Sequence, residues 1–214
     1  MQLLEIDSVN FKYGDRSILS NVYLKVYVGE AVGFLGRNGC GKSTLLKVIF
    51  GSLKGENQSV RIDGVYHATP FESSQVMFMP QEGLFPGFLT IRKACELYQA
   101  DFQQMQKHPE VLEYLEFQFD QLSGGISKFI ETLIVLYSPA PFILLDEPFS
   151  FIAPVLVERL IPTIKEVAQY KGVLLTDHQY KSILATTDRL YLLRNQSIRP
   201  VTEVQELRDM GYIS

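Results

Sequence analysis

Gly36-Arg37-Asn38-Gly39-Cys40-Gly41-Lys42-Ser43 decides how this chain is read. It has the form G-x-x-x-x-G-K-[ST], a phosphate-binding loop. The continuous apolar run at residues 31–35 predicts a strand buried on both faces. Residues 43–50 predict a helix that ends at Gly51. Strand, glycine loop and helix together are the context this motif requires. The glycines let the backbone wrap closely enough for its N–H groups to point at phosphate oxygens. The helix N-terminus adds the positive end of its dipole. Lys42 supplies a point charge to the β- and γ-phosphates, and the Ser43 hydroxyl is a Mg²⁺ ligand. The stretch therefore predicts nucleotide binding through Gly36, Asn38, Gly39, Cys40, Gly41, Lys42, Ser43 and Thr44.

Working outward, Val22, Leu24, Val26 and Val28 alternate with polar or aromatic residues, the period-2 pattern of a half-buried strand. A second strand-like region runs from residue 59 to about residue 79. Prolines and glycines then open a stretch of different character, with helices expected at 91–106 and 109–117. Ile126, Phe129, Ile130, Leu133, Ile134 and Tyr137 recur at helical spacing, so 124–138 is an amphipathic helix. Buried strands are expected at 142–145 and 173–176, flanking a helix at 154–170, with a further strand at 189–194 and a short last helix at 203–210. Strand and helix alternate, which indicates an α/β domain with a mainly parallel sheet.

Composition narrows the field. The 214 residues suit one domain, and a net charge of −4 argues against a nucleic-acid partner. No apolar run approaches a membrane span, and the N-terminal residues lack the layout of a signal peptide. Two cysteines, Cys40 and Cys95, make no disulfide framework, so a reducing cytoplasm is expected.

Further motifs follow in one order: Leu122-Ser123-Gly124-Gly125, then Phe142-Ile143-Leu144-Leu145-Asp146-Glu147-Pro148, then His178 after the next strand. With Gln81 and Tyr13, this order resembles the nucleotide-binding subunit of an ATP-binding-cassette (ABC) transporter over nearly the whole chain. The resemblance implies a P-loop NTPase core at 1–80 and 139–214 with an antiparallel β subdomain. It also implies a helical subdomain at 81–138 carrying the signature motif. It assigns Asp146, with Ser43 and Gln81, to the Mg²⁺ shell and Glu147 to the general base. His178 contacts the γ-phosphate, and Tyr13 stacks on adenine. Ser123, Gly124 and Gly125 close on ATP held by a second subunit, so a head-to-tail dimer is implied. The implied function is ATP hydrolysis that powers transport through a separate permease, from the cytoplasmic face of the membrane.

Two positions depart from the family. Ile126 stands where glutamine is usual, which removes the reciprocal half of a capping box on Ser123. Ala153 replaces an aspartate that would cap the following helix. These changes motivate one rival reading, a regulatory subunit with little hydrolysis; a soluble ABC ATPase acting on nucleic acid or ribosomes is the other. Pro162 is expected to kink or divide its helix. Phe85, Pro86, Gly87 and Phe88 offer an apolar segment beside Gln81 for docking the permease. Cys40, near a helix N-terminus and Lys42, is expected to be a reactive thiol facing the phosphates.

Overall fold

A computed structural model describes residues 2–213. The strands are β1 (Leu3–Tyr13), β2 (Arg16–Tyr27), β3 (Glu30–Leu35), β4 (Asn57–Ile62), β5 (Val65–Tyr66), β6 (Val76–Met79), β7 (Phe142–Asp146), β8 (Gly172–Thr176), β9 (Arg189–Arg194) and β10 (Ser197–Val201). The α-helices are α1 (Lys42–Phe50), α2 (Ile91–Leu97), α3 (Phe102–Met105), α4 (Pro109–Tyr114), α5 (Gly124–Leu136), α6 (Pro154–Ala168), α7 (Tyr180–Thr186) and α8 (Val204–Asp209). None of them is long and apolar enough to cross a membrane.

Two sheets share the strands. One is antiparallel, in the order β2-β1-β4-β5. The other has six strands in the order β10-β9-β3-β8-β7-β6, parallel throughout except for the β9–β10 hairpin. The expected α/β architecture with a mainly parallel sheet is the observed one.

Alternation along the central strands divides the core. Val32, Phe34, Leu144 and Leu174 face a cluster shared with α1 and the antiparallel sheet. Ala31, Leu35, Ile143, Leu145, Val173 and Leu175 face a second cluster filled from α5 and α6. Strands covered on both sides need apolar residues at every position, which is why these segments read as continuous runs.

Several expectations change. The region at 59–79 is not one strand. Asp63 and Gly64 both have positive φ and turn β4 into β5, and a 3₁₀ turn at Pro70–Ser73 carries the chain to β6 in the other sheet. Asp-Gly is the residue pair such a hairpin turn favours. The helix at 91–106 is two helices, because Gln99 takes φ +50° and Asp101 starts α3 by accepting from the Gln103 and Gln104 N–H groups. Pro162 does not divide α6, which runs unbroken. Glu158 and Pro162 both face solvent, so the carbonyl left without a donor is open to water, while Leu160, Thr163, Ile164 and Val167 hold the buried side. Phe85 is not a free docking residue. Its ring stacks on Phe119 (5.0 Å) and meets Tyr98 edge-on (4.9 Å), leaving Pro86 and Phe88 as the exposed members of the segment.

Candidate nucleotide-binding and catalytic site

Four neighbouring parallel strands, β3, β8, β7 and β6, end on one edge of the larger sheet. Ligand sites of open α/β sheets lie outside this edge. The residues that leave it are the Gly36–Gly41 loop after β3, Asp177 and His178 after β8, Glu147 after β7 and Gln81 after β6.

A cavity of about 540 Å³ opens there. Asn38, Gly39, Gly41, Lys42, Ser43 and Thr44 of the glycine loop and α1 line it, together with Tyr13, Gln81, Glu147 and His178. Gly41 precedes α1 with φ +111°, and a β-carbon there would lie 2.7 Å from Ile18 Cγ2. Conformation and space both demand glycine. Lys42 is buried and donates to the Gly36 carbonyl at 2.9 Å, which holds its ammonium inside the ring of the loop. The half-exposed Tyr13 ring is braced edge-on by Phe11 at 4.8 Å.

Two non-glycine residues lining the cavity, Glu147 and Phe151, have strained backbones, and Glu147 is the one that carries a carboxylate. Its φ of +53° lies in the left-handed region, a conformation that costs ~1–3 kcal/mol outside glycine and persists only where surroundings enforce it. Here the enforcing bonds are visible. The Glu147 N–H donates to the Thr176 carbonyl at 2.8 Å, and Oε2 accepts from Gln81 Nε2 at 3.1 Å and from Ser150 Oγ at 3.1 Å. His178 Nδ1 lies 3.5 Å from the same oxygen.

Asp146 is fully buried beneath the cavity. Its Oδ1 accepts from Thr176 Oγ1 at 2.9 Å, while Oδ2 is enclosed and has no hydrogen-bond partner. Burial pushes this carboxyl above its ordinary range, against hydrogen bonds from Ser43 and Thr176 that pull it down. An orphaned, desolvated carboxylate oxygen beside a serine hydroxyl suits a hard divalent cation. Among the described residues, no group of three His, Cys, Asp or Glu side chains is arranged to hold a metal. A cation here would take Ser43, Asp146 and phosphate oxygens as ligands, rather than a cage of protein groups alone.

Some residues were not legible as part of the site. Ser150 lies within 3.3 Å of Asp177 Oδ1 and of His178 Nδ1, as well as near Glu147. Its one proton serves one carboxylate at a time. Asp177, fully buried, accepts from the Phe149 and Gln179 N–H groups, each at 2.9 Å, and burial raises its pKa. Arg16, Ile18 and Phe151 also line the cavity. The pairing of Ser150 with Asp177 has no local signal, since its partners meet only when β7 and β8 align. Asp177 directly before His178 was the available clue.

Three sequence-selected groups lie elsewhere. Cys40 does not line this cavity. It faces a second one of about 300 Å³, between the loop and Leu193, Met210 and Tyr212. Burial raises its thiol pKa, outweighing the nearby Lys42 charge, so the reactive phosphate-facing thiol is not found. Gly36 lies outside the cavity as well. Ser123, Gly124 and Gly125 stand at the start of α5, off this surface. Ser123 caps α5, accepting from the Ile126 N–H at 3.4 Å, and a β-carbon on Gly125 would approach the Phe151 carbonyl to 3.0 Å. Ala153 occupies the N-cap of α6 without a side-chain bond.

The family model described as ABC transporter matches residues 19–150, from β2 through the loop after β7. The chain belongs to the ABC transporter family. A relative from Azorhizobium caulinodans, named as a probable ABC transporter ATP-binding protein, is 30% identical over 203 residues, covering 87% of this chain and 72% of that protein. The thiamine import ATP-binding protein ThiQ of Vibrio parahaemolyticus is 27% identical, with 96% of this chain and 93% of ThiQ covered. Among solved structures, the ATP binding subunit of an ABC transporter superposes with a TM-score of 0.84 at 23% identity, over 98% of this chain and 93% of that one. That likeness speaks to the fold. Within this ABC-family chain, the matched segment contains the loop, the α5 cap and Glu147, while His178 lies beyond it.

Proposed function

We propose that the chain is the ATP-hydrolysing subunit of a membrane transporter whose permease is a separate protein. Glu147 carries the reading. A carboxylate held in a strained backbone conformation at a strand end, opposite a glycine phosphate loop, is placed to take a proton from water attacking a γ-phosphate. Ser43 and Asp146 are the residues that would hold Mg²⁺, which would neutralise charge on the phosphates when bound. Lys42 and the N–H groups of the loop bind the β- and γ-phosphates, and Tyr13 takes the adenine. Gln81 and Ser150 fix the Glu147 carboxylate, and His178 meets charge that develops on the γ-phosphate.

Ser123, Gly124 and Gly125 lie off the cavity, so one chain surrounds the phosphates on one side only. In this reading a second copy, head to tail, brings its α5 start to the open side, giving two composite sites related by a two-fold axis. The helical segment 81–138 faces the permease, and the assembly sits on the inner face of the membrane.

The test is phosphate release from Mg-ATP by the purified chain. The expected result is release that disappears in Lys42→Ala and on chelation of Mg²⁺. Release that survives both would sink the reading.

A further inference from the structure

α5 carries two buried charges that the catalytic set leaves unused. Lys128 and Glu131 are 8% and 3% exposed and lie within one turn of each other. A charge taken out of water costs several kcal/mol unless paired and hydrogen-bonded. Core-facing neighbours on the same helix, such as Leu133 and Ile134, show that apolar side chains fit this environment.

Both charges reach to the same loop. Glu131 Oε2 accepts from the Leu84 N–H at 3.2 Å, and Oε1 accepts from Ser127 Oγ at 3.4 Å. Gly83 backs onto this carboxylate, with its β-carbon position 3.7 Å from Oε1. Lys128 Nζ donates to the Gln81 carbonyl at 3.4 Å and lies 5.9 Å from the centre of the Phe151 ring. The carboxylates of Asp177, Glu147 and Asp146 act on the same ammonium through space. Residues 81–84 belong to no helix or strand, so their backbone groups depend on such partners.

We infer that Lys128 and Glu131 are positioning residues: they clamp the 81–84 loop to α5, so that the Gln81 amide keeps its hold on Glu147 and follows any movement of the Ser123 end of that helix. The clamp couples the signature end of α5 to the catalytic carboxylate through two side chains and one loop. This inference rests on the hydrolytic reading above, because its consequence is expressed through Glu147.

The experiment combines steady-state ATP hydrolysis with amide hydrogen exchange on the full-length chain. Glu131→Ala should lower kcat by about 10²-fold, the scale of a 1 Å misplacement, with KM for ATP unchanged because the phosphate loop is untouched. Glu131→Gln keeps an acceptor for the Leu84 N–H and should recover most of the rate. Lys128→Met should lower kcat in the same way, and Lys128→Arg should restore it. Exchange at Leu84 and Phe85 should quicken in Glu131→Ala, while Leu133–Leu136 amides stay protected. Unchanged kcat with unchanged exchange in Glu131→Ala overturns the clamp, as does an equal loss of rate in Glu131→Gln. Wild-type protein that releases no phosphate would instead refute the hydrolytic reading, and the exchange data would still decide whether the loop is clamped.

Discussion

The catalytic wall of the cavity and the start of α5 are built to different degrees of completion. Around Glu147, groups of the same chain supply the contacts: Gln81, Ser150 and the Thr176 carbonyl converge on one residue, and Asp177 ties down the loops beside it. At the α5 start the Ser123 cap is long at 3.4 Å, and nothing lies within 4 Å of the β-carbon position of Gly124. Beside it, Phe151 is 82% exposed and Ala153 caps α6 with no side-chain bond. The first region is preorganised within one chain. The second is open in the way a surface awaiting a partner is open, and its weak caps leave it easy to rearrange.

The strongest way to break this comparison is at Glu147. Glu147→Gln preserves shape and hydrogen bonding to Gln81 but cannot accept a proton. Hydrolysis should fall by ~10²–10⁴, the contribution expected of a general base, while ATP binding survives. In the proposed function the second region closes on ATP held by a second copy, so the variant should run as an ATP-dependent dimer in gel filtration. Near-normal turnover would remove Glu147 from its role.

Ser150→Ala tests whether the first region is over-determined as its bonds imply. The substitution removes the one hydroxyl shared by Glu147, Asp177 and His178 and leaves buried acceptors without it. Stability should drop by ~1–3 kcal/mol, the cost of an unsatisfied buried polar group, as read from urea unfolding. Ser123→Ala at the open region should cost less, near the ~0.5 kcal/mol low end for caps, because its bond is long. Equal losses at the two serines would erase the distinction.

The same contrast explains what was legible beforehand. The glycine loop, α1 and the central strands were readable because their signals are local: apolar runs, a glycine at a positive φ, a helix stop. The Ser123 cap was readable for the same reason. The break between α2 and α3 depends on Gln99 adopting φ +50° and on the Asp101 N–H reaching the Tyr137 carbonyl, a contact 36 residues away (137 minus 101). The hub at Ser150 depends on strand register, with Asp146 opposite Thr176. The direction of Cys40 depends on packing against the C-terminal segment. The hub at Ser150 and the direction of Cys40 rest on long-range contacts that chain order does not encode locally, whereas the turn at Asp63-Gly64 carried a local signal that the strand pattern around it masked.

Ala153→Asp should strengthen the open region. Ala153 already has extended backbone, φ −65° and ψ 144°, so an aspartate there can accept from the N–H groups at the start of α6. Thermal unfolding should show a gain of roughly 1 kcal/mol. A tighter ATP-dependent dimer in the same variant would mark a restored contact across the interface, whereas a gain in stability alone would confine Ala153 to the cap. A loss of stability would mean that this loop does not present position 153 as a cap.

The smallest effect belongs to Cys40, and it marks where the finished region stops. Its backbone belongs to the phosphate loop, but its thiol faces the cavity bounded by Leu193, Met210 and Tyr212. Burial raises that thiol above its ordinary pKa, so at neutral pH the thiolate fraction is below that of a free cysteine and should still be climbing at alkaline pH. Alkylation should therefore be slow at neutral pH and accelerate as the pH rises. Cys95, whose pKa burial pushes up to about 11, should react more slowly still. Saturating Mg-ATP should leave the Cys40 rate unchanged, since the thiol does not line the cavity proposed to take nucleotide. Peptide mapping of iodoacetamide-treated protein gives both rates. Strong protection by Mg-ATP would place the thiol among the phosphates, and the loop would then have two working faces instead of one.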